Sequence, residues 1–272
     1  MEKTGKVIGV GSVKHGQGIT SLVYNIGYTL TNYTDLSILI FDFNYLFGEM
    51  DFLIDRKTSN CIDDLISIVR NRELTSELLI ENTEVLKPNL RLVNPSRIDN
   101  TDYLKKNTDE VLKIIEVARK TFDLVIVDTT AGAQSPLSRL IFANCEIFLN
   151  VMTQNPYILE WYKSYNQHKD IKEINVINMF EESVYPNSAE IKKAYGIDHM
   201  SIIYSATMRD FYNQKRTDEF VKQKNRYNAC VEKLIKRAFL LMNMNIDFNI
   251  ENDGHFNSSN KNGFFKNFFK KN

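Results

Sequence analysis

Seven short, continuous apolar runs, each closed by turn-forming residues, limit the folds open to this chain more than anything else in it. Lys6-Val-Ile-Gly-Val10, Ser37-Ile-Leu-Ile-Phe41, Leu90-Arg-Leu-Val93, Leu124-Val-Ile-Val127, Glu146-Ile-Phe-Leu-Asn-Val151, Ile174-Asn-Val-Ile177 and Met200-Ser-Ile-Ile203 read as strands. Continuous apolar character marks strands buried on both faces, as in a parallel sheet covered by helices. Amphipathic stretches at about Thr20–Leu30, Cys61–Arg70, Asp102–Lys120, Pro156–His168 and Asn228–Leu241 read as the helices between them. The alternation predicts a doubly wound α/β domain with a mostly parallel sheet and helices on both faces. A chain of 272 residues, 43% hydrophobic and 25% charged, has enough apolar material for such a core and is not a disordered composition.

Between the first strand and the first helix lies Gly11-Ser-Val-Lys-His-Gly-Gln-Gly-Ile-Thr20-Ser21. A glycine-containing loop in that place presents backbone N–H groups to an anion at a helix N-terminus, and phosphate is its natural guest. A full Walker A motif, G-x-x-x-x-G-K-[ST], fails here at two positions: Val13 stands for the first Gly and Ile19 for the Lys, while Gly18 and Thr20 are in place. Two further segments carry acids after apolar runs: Asp42-Phe-Asn44 with Gly48 and Asp51 after the second strand, and Asp128-Thr-Thr-Ala-Gly132 after the fourth. Val176-Ile-Asn178 ends another strand in an amide.

Together these segments resemble the ParA/MinD family, the P-loop ATPases with the deviant Walker A K-G-G-x-G-K-[ST]; Lys14, Gly16, Gly18 and Thr20 match it, and His15 and Ile19 depart from it. The resemblance spans about Lys6 to Leu241 and implies the P-loop NTPase fold, a nucleotide-sandwiched homodimer, and ATP with Mg²⁺ as cofactors. It implies that the backbone of His15, Gly16, Gln17, Gly18, Ile19, Thr20 and Ser21 cradles phosphates, that Lys14 reaches phosphate across the dimer, and that Asn178 reads adenine. It makes Thr20 and Asp128 the Mg²⁺ residues, Asp128 through water, and places Asp42 as the first Asp of the switch I D-x-D. The second Asp, which orients the attacking water, is Asn44 here.

An amide cannot accept a proton as a carboxylate does, and Ile19 cannot neutralise phosphate charge. Phosphoryl transfer rests on positioning and charge stabilisation, and one lost preorganised donor commonly costs roughly 10²–10³ in rate. The expectation is therefore weak or absent ATPase activity. A fold surviving as a scaffold after its nucleotide site decayed, ATP binding without turnover, and a competent ATPase rescued by other groups all remain open at this point.

From about residue 245 the chain becomes polar and rich in turn formers, and it ends in Gly263-Phe-Phe-Lys-Asn-Phe-Phe-Lys-Lys-Asn272. This divides it into a P-loop domain (1–245), a linker (246–262) and a terminal helix (263–272). Wound as a helix, Phe264, Phe265, Phe268 and Phe269 fall within a sector of about 140°, Lys266 and Lys270 lie on the other side, and Lys271 flanks the apolar face. That pattern describes a helix lying in a membrane interface, and the segment resembles the membrane-targeting helix of MinD-type members. The alternative is a short helix docked on the protein's own surface.

Charge agrees with the membrane reading. The whole chain balances 34 Lys+Arg against 34 Asp+Glu, but four of the lysines and none of the acids fall in 261–272, leaving 30 against 34 in the body. A mildly acidic body disfavours nucleic acid as a general partner, while lysines near an anionic membrane contribute roughly 1 kcal/mol each. The Lys/Arg cluster from Lys215 to Arg226 is interrupted by Asp218 and Glu219, so a solvated helix face competes with a DNA-contacting surface. Three scattered cysteines match neither a disulfide framework nor a metal spacing, and the four histidines show no ligand spacing. No run approaches the ~18 apolar residues of a membrane span. The chain is expected in the cytoplasm, peripheral on the inner face of the membrane, positioning an unidentified protein complex of the pilus, secretion, conjugation or division type. An active ATPase cycling on and off the membrane, and a DNA-partitioning protein, are the competing readings.

Overall fold

The computed structural model of the chain describes residues 4–43, 49–54, 60–94, 106–129, 136–165 and 173–244. In chain order these form β1 (Lys6–Gly11), α1 (Ile19–Tyr33), β2 (Ile38–Asp42), α2 (Glu49–Leu53), α3 (Ile62–Asn71), α4 (Ser76–Glu81), β3 (Glu84–Lys87) and β4 (Leu90–Val93). There follow α5 (Thr108–Thr121), β5 (Leu124–Asp128), α6 (Pro136–Asn144), β6 (Ile147–Met152), α7 (Pro156–Tyr165) and β7 (Glu173–Phe180). The described chain closes with α8 (Ser188–Glu190) and a π-helical turn (Ile191–Tyr195), β8 (His199–Ile203), α9 (Ala206–Asn213), α10 (Thr217–Val221) and α11 (Arg226–Leu241).

The eight strands make one sheet in the order β3-β4-β2-β5-β1-β6-β7-β8. Every neighbouring pair is parallel except β3 with β4. The continuous apolar runs have a direct cause in the packing. Ile38, Ile40, Leu124 and Ile126 pack on one face with α1, α10 and α11, whereas Leu39, Phe41, Val125 and Val127 pack on the other with α3, α5 and α6. Successive side chains thus enter two different cores, so neither set can be polar. A third apolar cluster joins α7 to the end of β7 through Leu159, Tyr162, Ile177 and Phe180.

Several expectations are corrected. β8 is not buried on both faces: only Ile202 of it is buried, because that strand forms the sheet's edge. β3 escapes a reading by apolar runs because it is a half-exposed antiparallel edge strand folded back on β4 through Pro88 and Asn89. Of the helix expected from Asp102, residues 102–105 lie outside the described residues; α5 itself carries Asp109 and Glu110 in its first turn, which favours the positive helix end. α11 begins at Arg226 because Asn225 caps it, its side chain accepting from the Asn228 backbone N–H at 2.8 Å. No helix among the described residues is long and apolar enough to cross a membrane. The expected linker and the expected terminal helix, with Phe264, Phe265, Lys266, Phe268, Phe269, Lys270 and Lys271, lie outside the described residues, as does Asn44.

Candidate nucleotide site

The site is built around the entry to α1. Gly18 adopts the left-handed conformation at φ 75°, which ends the loop and starts the helix, and the Leu22 N–H donates to the Gly18 carbonyl at 3.1 Å. No side chain caps this helix and no acid occupies its first turn. Among the described residues its leading N–H groups and the positive end of its dipole are therefore left uncompensated, which is the physical requirement of an anion site. Any side chain at Gly18 would collide: an added Cβ would lie 2.6 Å from Asn178 Nδ2.

The loop is held from two directions. Asn178 Nδ2 donates to the Gln17 carbonyl at 2.9 Å. The buried Gln17 side chain accepts from the Thr153 N–H at 3.0 Å and the Thr153 hydroxyl at 2.9 Å, and donates to the His15 carbonyl at 3.2 Å. β6 and β7 thereby clamp a loop that belongs to β1. Thr129 ties β5 to β1 by donating both its N–H and its hydroxyl to the Val10 carbonyl, at 2.9 and 3.0 Å. Asp128 is thus fixed at the carboxyl end of β5, beside Val10 in register, and is 1% exposed.

These groups open on a cavity of about 520 Å³, within the range of small-molecule sites. One wall is the loop and helix entry from His15 to Ser21, with Asp128, Thr129 and Asn178 beside it. The facing wall comes from the segment after β8, through Tyr204, Met208, Arg209 and Tyr212, with Tyr227 of α11 and Met179 closing it. The cavity lies outside the carboxyl ends of parallel strands, where open α/β sheets bind ligands. Met179 sits at φ 54° in a bulge where the β7–β8 register shifts, an uncommon conformation for a side chain of this size that turns the strand end over the loop. Burial pushes the Tyr227 phenol above its ordinary range, so it stays neutral and accepts from Asn25 Nδ2 at 3.1 Å.

The residues singled out from the sequence separate in space. Gly16, Gly18, Thr20, Ser21, Asp128 and Asn178 come together on the cavity, as do His15, Gln17 and Ile19. Ile19 is 8% exposed and packs into the core beneath the loop, so the lysine position has become part of the hydrophobic interior. Lys14 does not line the cavity; it is exposed, with Nζ 5.8 Å from the centre of the Tyr157 ring. Asp42 is fully buried one strand behind, in register with Asp128, and does not line the cavity either. Asn178 serves the loop through its amide nitrogen, leaving its carbonyl oxygen as the atom that could accept from a base.

Sequence reasoning missed the facing wall. Nothing in the pattern of Tyr204 to Tyr212 identifies a site, and the one available signal is its place directly after the carboxyl end of a parallel strand. Among the described residues no group of three or more His, Cys, Asp or Glu side chains could hold a metal by itself.

No protein-family model and no curated protein matches the chain. Its structure is similar to that of a ParA family ATPase from Chlorobium tepidum, with TM-score 0.73 and 18% identity over 86% of this chain and 98% of that one. It is also similar to MinD from Pyrococcus horikoshii complexed with Mg-ADP, with TM-score 0.68 and 13% identity over 87% and 98% of the two chains. A third likeness is to an McdA variant–ATP complex from Cyanothece, with TM-score 0.65 and 14% identity over 89% and 98%. The strand order, the glycine loop at the entry of α1 and these likenesses agree that the chain has the α/β fold of the ParA and MinD ATPases.

Proposed function

We propose that the chain is a ParA/MinD-type nucleotide-binding protein that hydrolyses ATP weakly or not at all and acts as a membrane-associated spatial regulator or scaffold for a larger complex. The observation that carries this reading is the uncapped entry of α1, where backbone N–H groups meet the cavity while Ile19 is packed into the core. Backbone donors suffice to hold phosphate; they do not supply the ammonium that stabilises charge developing in the transition state.

ATP with Mg²⁺ fits the residues present. Mg²⁺ takes oxygen ligands and is usually held by one or two protein groups, with phosphates and waters completing its shell. The Thr20 hydroxyl and the Asp128 carboxylate are two such oxygens on the cavity wall. When bound, the metal would neutralise phosphate charge. The loop N–H groups would orient the phosphates, and the Asn178 carbonyl oxygen would accept from the adenine amine. The solved complexes of MinD with Mg-ADP and of McdA with ATP support this choice of ligand.

The same proposal includes a homodimer, with Lys14 serving the partner's phosphate, and attachment to anionic membrane through residues 263–272. One such tail binds marginally and two on a dimer bind far better through effective concentration. The Lys/Arg cluster gives little support to a DNA-partitioning role, because Arg216 pairs with Glu219 at 2.7 Å, Lys222 with Asp218 at 3.7 Å, and Lys215 lies over the Phe52 ring.

Calorimetry at millimolar Mg-ATP tests the reading directly: heat of binding with little or no phosphate release is the expected result. Absence of binding would leave only a scaffold. Turnover that disappears in Asp128→Ala would establish the active-ATPase reading, which the presence of Thr20 and Asp128 at the cavity favours. Co-sedimentation with anionic liposomes should be lost on deletion of Gly263–Asn272; unchanged co-sedimentation would remove the membrane role.

A further inference from the structure

The nucleotide reading leaves an electrostatic problem, and the far wall of the cavity answers it. A nucleoside triphosphate carries several negative charges into a site whose helix entry contributes only partial positive charge. Ile19 contributes none, and Lys14 stands outside the cavity over Tyr157. Among the described lining residues, the single permanently charged cation is Arg209.

Arg209 is placed rather than adrift. Ser205 caps α9, its hydroxyl accepting from the Met208 N–H at 3.1 Å, and the Arg209 N–H makes the next helical bond to the Ser205 carbonyl at 3.1 Å. The strand end before it is tied by the Tyr204 N–H to the Phe180 carbonyl at 2.9 Å, two residues beyond the Asn178 that clamps the loop. The guanidinium is exposed and, among the described residues, has no hydrogen-bond or ion-pair partner. Its neighbouring acid, Asp210, is engaged by Gln214 Nε2 at 2.9 Å.

Resting on the nucleotide reading, we propose that Arg209 is the phosphate-recognising cation of this site, delivered from α9 across the cavity in place of a lysine at the helix entry. Its planar fork suits two phosphate oxygens at once. The ligand class it selects is therefore the phosphorylated nucleotide over the bare nucleoside.

The test measures ATP binding by calorimetry, and adenosine binding by displacement of ATP, on the full chain and its Arg209→Ala and Arg209→Lys variants. Removal of a charge-assisted contact should weaken ATP about ten- to hundredfold in Arg209→Ala, with adenosine unchanged and Arg209→Lys between the two. In the Arg209→Ala background, Ile19→Lys should recover part of the ATP affinity, because it returns a cation to the same phosphates. Circular dichroism of each variant establishes that it folds. Equal weakening of ATP and adenosine would overturn the proposal by making Arg209 a base-packing residue, and unchanged ATP affinity in Arg209→Ala would overturn it outright. A wild-type chain that binds neither ligand would refute the nucleotide reading itself, and this inference with it.

Discussion

The two walls of the cavity face each other but draw their stability from different sources. α1 buries Ile19, Thr20 and every residue from Leu22 to Leu30, so the loop at its head is anchored in the main core and clamped by Gln17 and Asn178. α9 buries no residue along its whole length, and it presents Arg209, Met208 and Tyr212 from a surface helix. One wall offers backbone held rigid by packing, the other offers side chains presented from the surface. The contrast teaches that one cavity can join a backbone wall fixed by the core to a side-chain wall carried on the surface.

Substitutions can break or sharpen that contrast. The largest effect is expected for Leu22→Ala, which removes a fully buried side chain beneath the loop and should cost about 2–5 kcal/mol in urea unfolding. A loss below about 1 kcal/mol would mean that the loop wall is not anchored as described.

Gly18→Ala comes next. It forces a side chain into a left-handed position and against Asn178, with an expected cost of about 1–3 kcal/mol and loss of ATP binding in calorimetry. Asn178→Ala leaves the Gln17 carbonyl without its buried donor and should cost about 1–3 kcal/mol. The double variant should be less damaged than the sum of the two, because removing the Asn178 amide also removes the collision. Strict additivity in the unfolding free energies would show that the two residues do not meet.

The smallest effect belongs to the facing wall. Arg209→Ala should change unfolding stability by no more than about 0.5 kcal/mol, the range of exposed substitutions without special contacts. A cost approaching that of Gly18→Ala would erase the distinction between the walls.

Much of this was legible beforehand, for identifiable reasons. The strands with two buried faces announce themselves because both sets of side chains must be apolar; Ile38 to Asp42 is buried at every position. β3 carried no such mark because, on the edge of the sheet, Glu84 to Lys87 need satisfy only one neighbour. α4 and α10 are too short, at 6 and 5 residues, for a helical period to emerge. The loop of glycines was visible because left-handed turns and close approaches restrict residue type. That Asn178 would grip that loop, and that Asp42 would stand behind Asp128 away from the cavity, was not visible, since neither residue's type specifies its partner.

By itself the sequence determined the class of fold, the position of the glycine loop between β1 and α1, and the absence of an ammonium at Ile19, because each depends on local periodicity or on one residue's chemistry. Tertiary structure alone decided that β5 would lie between β1 and β2, that Ile19 would be swallowed by the core, and that Arg209 would stand across from the loop. Those outcomes follow from which strand edges pair and which helix faces they bury. Such pairing is a property of the whole sheet and leaves no periodic trace in any one segment.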